Sequence, residues 1–320
     1  MQATARAQPN IALIKYWGKR DTVANLPAVG SISVTLAELF TEMTVSLDDG
    51  LDHDRLVINE QDNQAMLPRI SACLDNVIGT SRAHARIDSF CNFPVAAGLA
   101  SSASSFAATV VAASAASGGS ASTADLASLA SKASGSAARS LYGGFAELRN
   151  THSDVSVETI LAGDDWPLKV VIAVTSGGPK PVSSREAMEI SRKTSPFYGR
   201  WLEGQPDDLG VARAAIRDQD FQKLALVSEH NCLKMHSVMW ASRPPIVYWN
   251  ASTLSCMQTV RELRSTGVGV FFTIDAGPQL KAVCLESDET IVRDALSATA
   301  GVVDILSSGL GEGARLLDTA

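Results

Sequence analysis

Alternating apolar and polar positions mark residues 41–48 (TEMTVSLD) and 83–89 (AHARIDS) as half-buried antiparallel strands. Residues 10–17 (NIALIKYW) and 31–36 (SISVTL) read as two more short strands around a connection containing Gly and Pro. A helical recurrence runs through Met66, Ile70, Cys73, Leu74, Val77 and Ile78. Residues 100–138 are mostly Ala and Ser, a composition that also suits a flexible linker. The helical spacing of Phe106, Val110 and Val111, and of Leu126 with Leu129, predicts two small-residue helices instead. Gly118 and Gly119 separate them, and Ser122 or Thr123 can cap the second. Residues 168–175 (LKVVIAVT) read as a buried strand, after which Gly177, Gly178, Pro179 and Pro181 break the chain. A helix-rich stretch follows from about 184 to 242 and stops at Pro244 and Pro245. The pattern closes with a helix at 251–265, a strand at 268–274, a turn at 276–278, a strand at 280–285 and a helix at 287–299. Strands that do not alternate strictly with helices predict an α+β fold. The Gly/Pro cluster divides the expected domains into 1–180 and 181–320.

Composition narrows the class. The chain has 320 residues, 46% of them hydrophobic and 19% charged, which suits a folded protein with one large domain or two ordinary ones. A net charge of −7 argues against a nucleic-acid partner, because phosphate backbones need a clustered basic surface. It leaves room for a local basic pocket around a small phosphorylated substrate. The five cysteines (Cys73, Cys91, Cys232, Cys256 and Cys284) are scattered and lack CxxC spacing, so buried reduced thiols are expected. No signal-peptide pattern and no bilayer-length apolar run is present, so a cytoplasmic protein without a membrane partner is expected.

Five segments carry candidate chemistry. In residues 94–105 (PVAAGLASSASS) a Gly and several Ser lead into a helix, whose first N–H groups and positive dipole end suit phosphate. The same residues also suit a Ser-capped helix, and the Gly-Lys-Ser/Thr ending of the common phosphate loop is missing. Residues 10–20 (NIALIKYWGKR) set Lys15, Lys19 and Arg20 beside Tyr16 and Trp17, as a site or as a solvated strand end. In residues 133–145 (ASGSAARSLYGGF), Arg139 lies among small residues near Ser134, Ser136 and Ser140, which suits two-point binding of a carboxylate or phosphate as well as a surface position. Asp275, in residues 271–278 (FFTIDAGP), ends an apolar strand before a tight turn, so it can face a cleft or simply start the turn. Residues 181–186 (PVSSRE) offer Ser183, Ser184 and Arg185 just past the expected domain break, as a cleft site or a helix cap. His230 and His236 lack HExxH spacing and read as core or surface histidines, and residues 307–313 (SSGLGEG) read as a glycine-rich turn.

Together these segments resemble one family. PVAAGLASSAS is similar to the phosphate loop of the GHMP kinase superfamily. NIALIKYWGKRD, GLASSASSFAA, SGSAARSLYGGFAE, VSSREAM and FTIDAGP resemble segments of diphosphomevalonate decarboxylases in the same order, over residues 4–309. The resemblance implies a two-lobed fold, with a ribosomal protein S5 domain 2-like lobe carrying the phosphate loop and a ferredoxin-like lobe carrying Asp275. It implies ATP and magnesium as cofactors, diphosphomevalonate as the small-molecule substrate, and a homodimer, the usual state of relatives. Asp275 would be the catalytic aspartate acting on the C3 hydroxyl, Arg139 would bind the C1 carboxylate, and Lys15 would be an active-site lysine. Tyr16, Lys19, Ser134, Ser136 and Arg185 would surround the substrate's phosphates. Gly98, Leu99, Ala100, Ser101, Ser102 and Ser104 would form the ATP loop, with Ser102 near the magnesium and Ser184 reaching the ATP.

The chain departs from the family pattern at one place. Relatives usually carry one or two Asn before the SISVTL segment, where this chain has Val29 and Gly30. The expected consequence is altered hydrogen bonding near C3 or near the Asp275 carboxylate. Two alternatives share the scaffold: a decarboxylase of 5-phosphomevalonate and a small-molecule kinase.

Overall fold

The computed structural model describes residues 1–93, 101–178 and 181–317. The chain begins with β1 (Gln2–Ala7), β2 (Asn10–Ile14), β3 (Lys19–Asp21), β4 (Leu26–Pro27), β5 (Ser31–Thr35), β6 (Thr41–Leu47), β7 (Arg55–Ile58) and β8 (Gln61–Asp62). Next come α1 (Leu67–Ile78), β9 (Ala85–Cys91), α2 (Ser101–Ala116), α3 (Thr123–Ala133), a 3₁₀ turn (Ala137–Leu141), β10 (Phe145–Asn150), β11 (Val155–Leu161) and β12 (Leu168–Val174). The remainder is α4 (Ser184–Thr194), α5 (Tyr198–Arg217), α6 (Phe221–Trp240), α7 (Ala251–Ser265), β13 (Val270–Thr273), β14 (Leu280–Leu285), a short 3₁₀ turn, α8 (Glu289–Ser297), β15 (Asp304–Ser308) and β16 (Arg315–Leu317).

The strands form a six-stranded sheet (β16-β1-β6-β9-β7-β8), two four-stranded sheets (β11-β10-β5-β2 and β13-β14-β12-β15) and the small pair β3-β4. Mixed helix and sheet of this kind is the α+β class expected. The alternation of β6 points Thr41, Met43 and Val45 inward, against α2. Helix α2 buries Phe106, Ala107 and Val110 completely. Its many Ala and Ser residues carry little bulk, so its backbone approaches the sheet closely, and Phe106 fills the space that remains. Truncating Phe106 to Ala would cost about 3–5 kcal/mol. Helix α3 is capped by Ser122, whose hydroxyl accepts from Asp125 N at 3.2 Å, a contact of about 1 kcal/mol.

The second apolar core is shared. Ile11, Leu13 and Val34 of β2 and β5 pack with Val170 and Ile172 of β12, Leu224 of α6 and Phe271 of β13. The expected break at residues 177–181 thus follows β12, a strand that pairs with β14 and β15 on the far side of it. The last strand, β16, returns to pair with β1. The strand expected over 10–17 stops at Ile14. Beyond it the Lys15 peptide bonds to helix side chains, so it has left the ladder.

Candidate active site

Strand β2, the 3₁₀ turn, the start of α2, the start of α4 and the turn after β13 converge on one cavity of about 490 Å³. Among the described residues, five cationic side chains line it (Lys15, Lys19, Arg69, Arg139 and Arg185) against a single carboxylate, Asp275. On a chain of net charge −7 this is a local reversal of sign, and it suits a ligand carrying several negative charges.

Asp275 lies two residues past the end of β13, and its side chain is 26% exposed while Lys15 and Lys281 beside it are 1% and 0% exposed. Lys15 Nζ lies 2.9 Å from Oδ1, and Lys281 Nζ lies 3.3 Å from Oδ2. Burial alone would raise the Asp275 pKa, but the charges of Lys15 and Lys281 outweigh it and hold the carboxyl well below the usual carboxylate range. Lys15 also donates to Ala12 O at 2.8 Å. Its peptide is fixed at both ends: Lys15 N donates to Asn231 Oδ1 at 2.7 Å, and Gln205 Nε2 donates to Lys15 O at 2.6 Å.

Arg139 is buried, and three neutral oxygens hold its guanidinium. Nε donates to Ser33 Oγ at 2.9 Å, Nη1 to Ser31 Oγ at 2.5 Å and Nη2 to Asn10 Oδ1 at 3.0 Å. Burial pushes its pKa down to about 10, opposed by the charge of Asp275. These bonds use three of the five N–H donors, leaving a rigid cation with capacity for an incoming carboxylate. Asn10 is itself oriented by donating to Ser140 Oγ at 2.7 Å and Ser136 O at 3.0 Å.

The Tyr16 hydroxyl is buried without a hydrogen-bond partner among the described residues, and burial raises its pKa, so it enters the cavity as a neutral O–H. Lys19 is pushed down to about 8 by burial and by the neighbouring charges of Arg185 and Arg69. Ser134 and Ser136 line the same wall. Ser183 caps α4 by accepting from Glu186 N at 3.2 Å while also lining the cavity, so both of its expected uses hold together. Ser184 and the exposed Arg185 stand at the cavity's edge in the first turn of that helix.

Gly98, Leu99 and Ala100 lie outside the described residues. Ser101 begins α2, and Ser102 in its first turn lines the cavity. Ser104 is a correction: its side chain is fully buried and its hydroxyl pairs with Thr41 Oγ1 at 2.7 Å, on the sheet-facing side of α2. The departure at residues 29 and 30 also resolves differently from expectation, since neither residue lines the cavity. Val29 is buried in an apolar cluster with Trp17, Tyr198 and Trp201. A Cβ at Gly30 would sit 2.8 Å from Leu148 O, so the backbone there has no room for a side chain.

Asn10, Arg69 and Lys281 escaped the sequence reading. Asn10 is the first residue of β2, Arg69 lies in the first turn of α1, and Lys281 lies in the interior of β14. His236 is buried with Nε2 at 3.2 Å from Ile274 O, His230 is exposed, and all five cysteines are buried. Among the described residues no group of three or more His, Cys, Asp or Glu could hold a metal ion. The donor set still fits magnesium brought with a nucleotide, because that ion keeps phosphate oxygens and waters and needs few protein ligands. No helix among the described residues is long and apolar enough to cross a membrane.

Comparison with known proteins agrees with this geometry. Two family profiles match: the diphosphomevalonate decarboxylase-like N-terminal domain over residues 7–158 and the mevalonate 5-diphosphate decarboxylase C-terminal domain over residues 170–307. The diphosphomevalonate decarboxylase of Schizosaccharomyces pombe is 31% identical over 349 aligned positions, covering 100% of this chain and 88% of its own. The crystal structure of mevalonate diphosphate decarboxylase from Staphylococcus aureus superposes with a TM-score of 0.93 at 37% identity, covering 99% of this chain and 98% of that one. The complex of MDDEF with MVAPP, AMPPCP and magnesium superposes with a TM-score of 0.93 at 34% identity, covering 100% and 99%. With the fold and both halves of the sequence matched, the chain belongs to the diphosphomevalonate decarboxylase family.

Proposed function

We propose that this chain phosphorylates the C3 hydroxyl of (R)-5-diphosphomevalonate with ATP and then releases phosphate and CO₂, leaving isopentenyl diphosphate and ADP. The observation that carries this reading is the cavity in which, among the described residues, five cations surround one ionised carboxylate. Lys19, Arg69 and Arg185 offset the diphosphate, Tyr16 donates its unpartnered hydroxyl to it, and Ser134 and Ser136 add hydrogen bonds. Arg139 takes the C1 carboxylate. Ser102 in the first turn of α2 would hold the magnesium and Ser184 would reach the ATP, which would supply the phosphoryl group that turns a poor leaving group into a good one.

Asp275 accepts the hydrogen bond of the C3 hydroxyl and aims its oxygen at the transferred phosphoryl group. A carboxylate held this acidic is a weak base. Phosphoryl transfer with a loose transition state makes little demand on basicity and much on alignment. As phosphate departs, positive charge develops at C3, and the same carboxylate stabilises it. Electrons from the breaking C1–C2 bond then form the double bond, and Arg139 holds the carboxylate until it leaves as CO₂.

The diphosphate is favoured over the monophosphate because three cations, Lys19, Arg69 and Arg185, converge on that end and Val29 and Gly30 lie off the cavity. Assembly as a homodimer in the cytoplasm belongs to the same reading, and light scattering on the purified chain measures the former. Product analysis tests the reaction, with ATP and magnesium in separate incubations with 5-diphosphomevalonate, 5-phosphomevalonate and mevalonate. CO₂ and isopentenyl diphosphate from the first alone are expected. CO₂ mainly from the second, or ADP without CO₂, would overturn the reading.

A further inference from the structure

We propose that Lys281 is a positioning residue of the reaction, clamping the Asp275 carboxylate from the side opposite Lys15 and completing a two-lysine vise around it. The inference rests on the decarboxylase reading above.

Lys281 lies in β14, which pairs with β13 on one side and β12 on the other. Its neighbours Leu280, Ala282, Val283 and Cys284 are buried, and Lys281 itself is 0% exposed. An ammonium in a central strand is costly to desolvate, and an apolar side chain of similar size would serve stability as well or better. Lys15 alone already matches the single charge of Asp275, at the shorter distance of 2.9 Å. Lys281 therefore brings a second ammonium to a carboxylate that already has one. Arg139, held by three neutral oxygens, is a third cation near it. Such an arrangement is explained by a substrate that brings negative charge to the same place, and by the need to fix both oxygens of Asp275. Lys15 bonds Oδ1, and the Lys281 charge stands 3.3 Å from Oδ2, so the two cations favour one orientation of the carboxylate plane.

The vise also sets how Asp275 titrates. The charged and titratable groups around it are Lys15 after β2, Lys281 in β14, Arg139 in the 3₁₀ turn, and Cys232 and His236 in α6. Burial pushes His236 down to about 3 and raises Cys232, so both are neutral at ordinary pH. Burial also lowers Lys281, an effect that Asp275 opposes. Losing Lys281 removes one of the two cations that keep Asp275 acidic, while the burial that raises it stays.

Lys281→Met keeps the length of the side chain and removes its charge, and Lys281→Arg keeps the charge. The test compares both with the unmodified enzyme, by steady-state kinetics across about pH 5 to pH 9 and by carbon NMR titration of the Asp275 carboxyl in the substrate-free protein. Lys281→Met is expected to lower kcat by about tenfold to a hundredfold with little change in KM. It should also create an acid limb in the kcat profile that the unmodified enzyme lacks, and move the carboxyl titration upward. Lys281→Arg should recover part of the rate and most of the low titration. Thermal melting establishes that each variant is folded, and the NMR titration needs no turnover. If Lys281→Met keeps the unmodified kcat and an unshifted carboxyl titration while releasing CO₂ normally, the positioning role is overturned. If the unmodified chain releases no CO₂ from diphosphomevalonate, the failure belongs to the function reading instead.

Discussion

The Tyr16 phenol lies against Gly135 so closely that a Cβ on residue 135 would stand 2.7 Å from Tyr16 Oη and 2.8 Å from its Cζ. Gly135 sits between Ser134 and Ser136, whose hydroxyls are 3.4 Å apart, so the two serines and the phenol form one wall of the cavity. The small residues around Arg139 thus have a steric purpose. They let an aromatic hydroxyl reach the end of the cavity where the cations gather.

Gly135→Ala should consequently displace the phenol while leaving Asp275 and Arg139 in place. The expected result is a rise in KM for diphosphomevalonate of about tenfold, with kcat changed less, since one hydrogen bond to a charged group is worth about 1.5–3 kcal/mol. Steady-state kinetics with each substrate varied separately checks it. A KM for ATP that rose in parallel would place Tyr16 elsewhere in the reaction.

Asp275→Asn preserves shape and removes charge. It leaves Lys15 and Lys281 facing a neutral amide, and it withdraws the group that stabilises charge at C3. Turnover should fall by about a thousandfold or more. Binding of ATP, measured calorimetrically, should be largely kept, because Asp275 acts on the other substrate. Near-normal CO₂ release from this variant would remove Asp275 from the mechanism.

Lys19 gives the enzyme an alkaline limit. Its pKa is lowered to about 8 by burial and by Arg185 and Arg69, so its charge is present below that pH and lost above it. Because kcat/KM reports ionisations of the free enzyme, it should decline for diphosphomevalonate as pH rises through about 8. Lys19→Arg, which stays charged throughout, should flatten that decline. A decline that persists unchanged in Lys19→Arg would point to another group.

Much of this site was legible in the sequence because its parts stand at places where regular structure ends. Asp275 precedes a turn, Lys15 follows a strand, and Arg139 lies in a short run of small residues. Asn10 and Arg69 stand at the starts of β2 and α1 and Lys281 inside β14, where a polar residue ordinarily means a solvated strand end, helix turn or face. Lys281 in LKAVCL reads as the outward half of an alternation, but β14 is covered on both faces, so both halves are buried. Ser104 failed for a related reason: in a helix of Ala and Ser, no apolar stripe tells which hydroxyls face the sheet. The strands β3, β4, β7 and β8 are two to four residues long, too short for a period to show. β10 contains Glu147, which is fully buried because Arg149 and Arg213 pair with it at 2.8 and 2.6 Å. Arg213 comes from α5, and no local pattern announces that partner.

The placement of Lys15 depends on side chains far from the substrate, and this yields the last prediction. Asn231 in α6 accepts from Lys15 N, and its own Nδ2 donates to Gln205 Oε1 at 2.8 Å and Asp208 Oδ2 at 2.6 Å. Gln205 in turn donates to Lys15 O, and Lys234 pairs with Asp208 at 2.7 Å. Two amides therefore fix a peptide that no strand holds. Asn231→Ala leaves the Lys15 N–H buried without its acceptor, a cost of about 1–3 kcal/mol. In a chain of this length each kcal/mol shifts the melting temperature by about 2 °C. The variant should melt a few degrees lower, and kcat should drop more than the KM for either substrate rises, since the loosened peptide carries the ammonium that holds Asp275. Calorimetric melting and steady-state kinetics read the two effects separately. A melting shift with unchanged kcat would show that Lys15 holds Asp275 without this support.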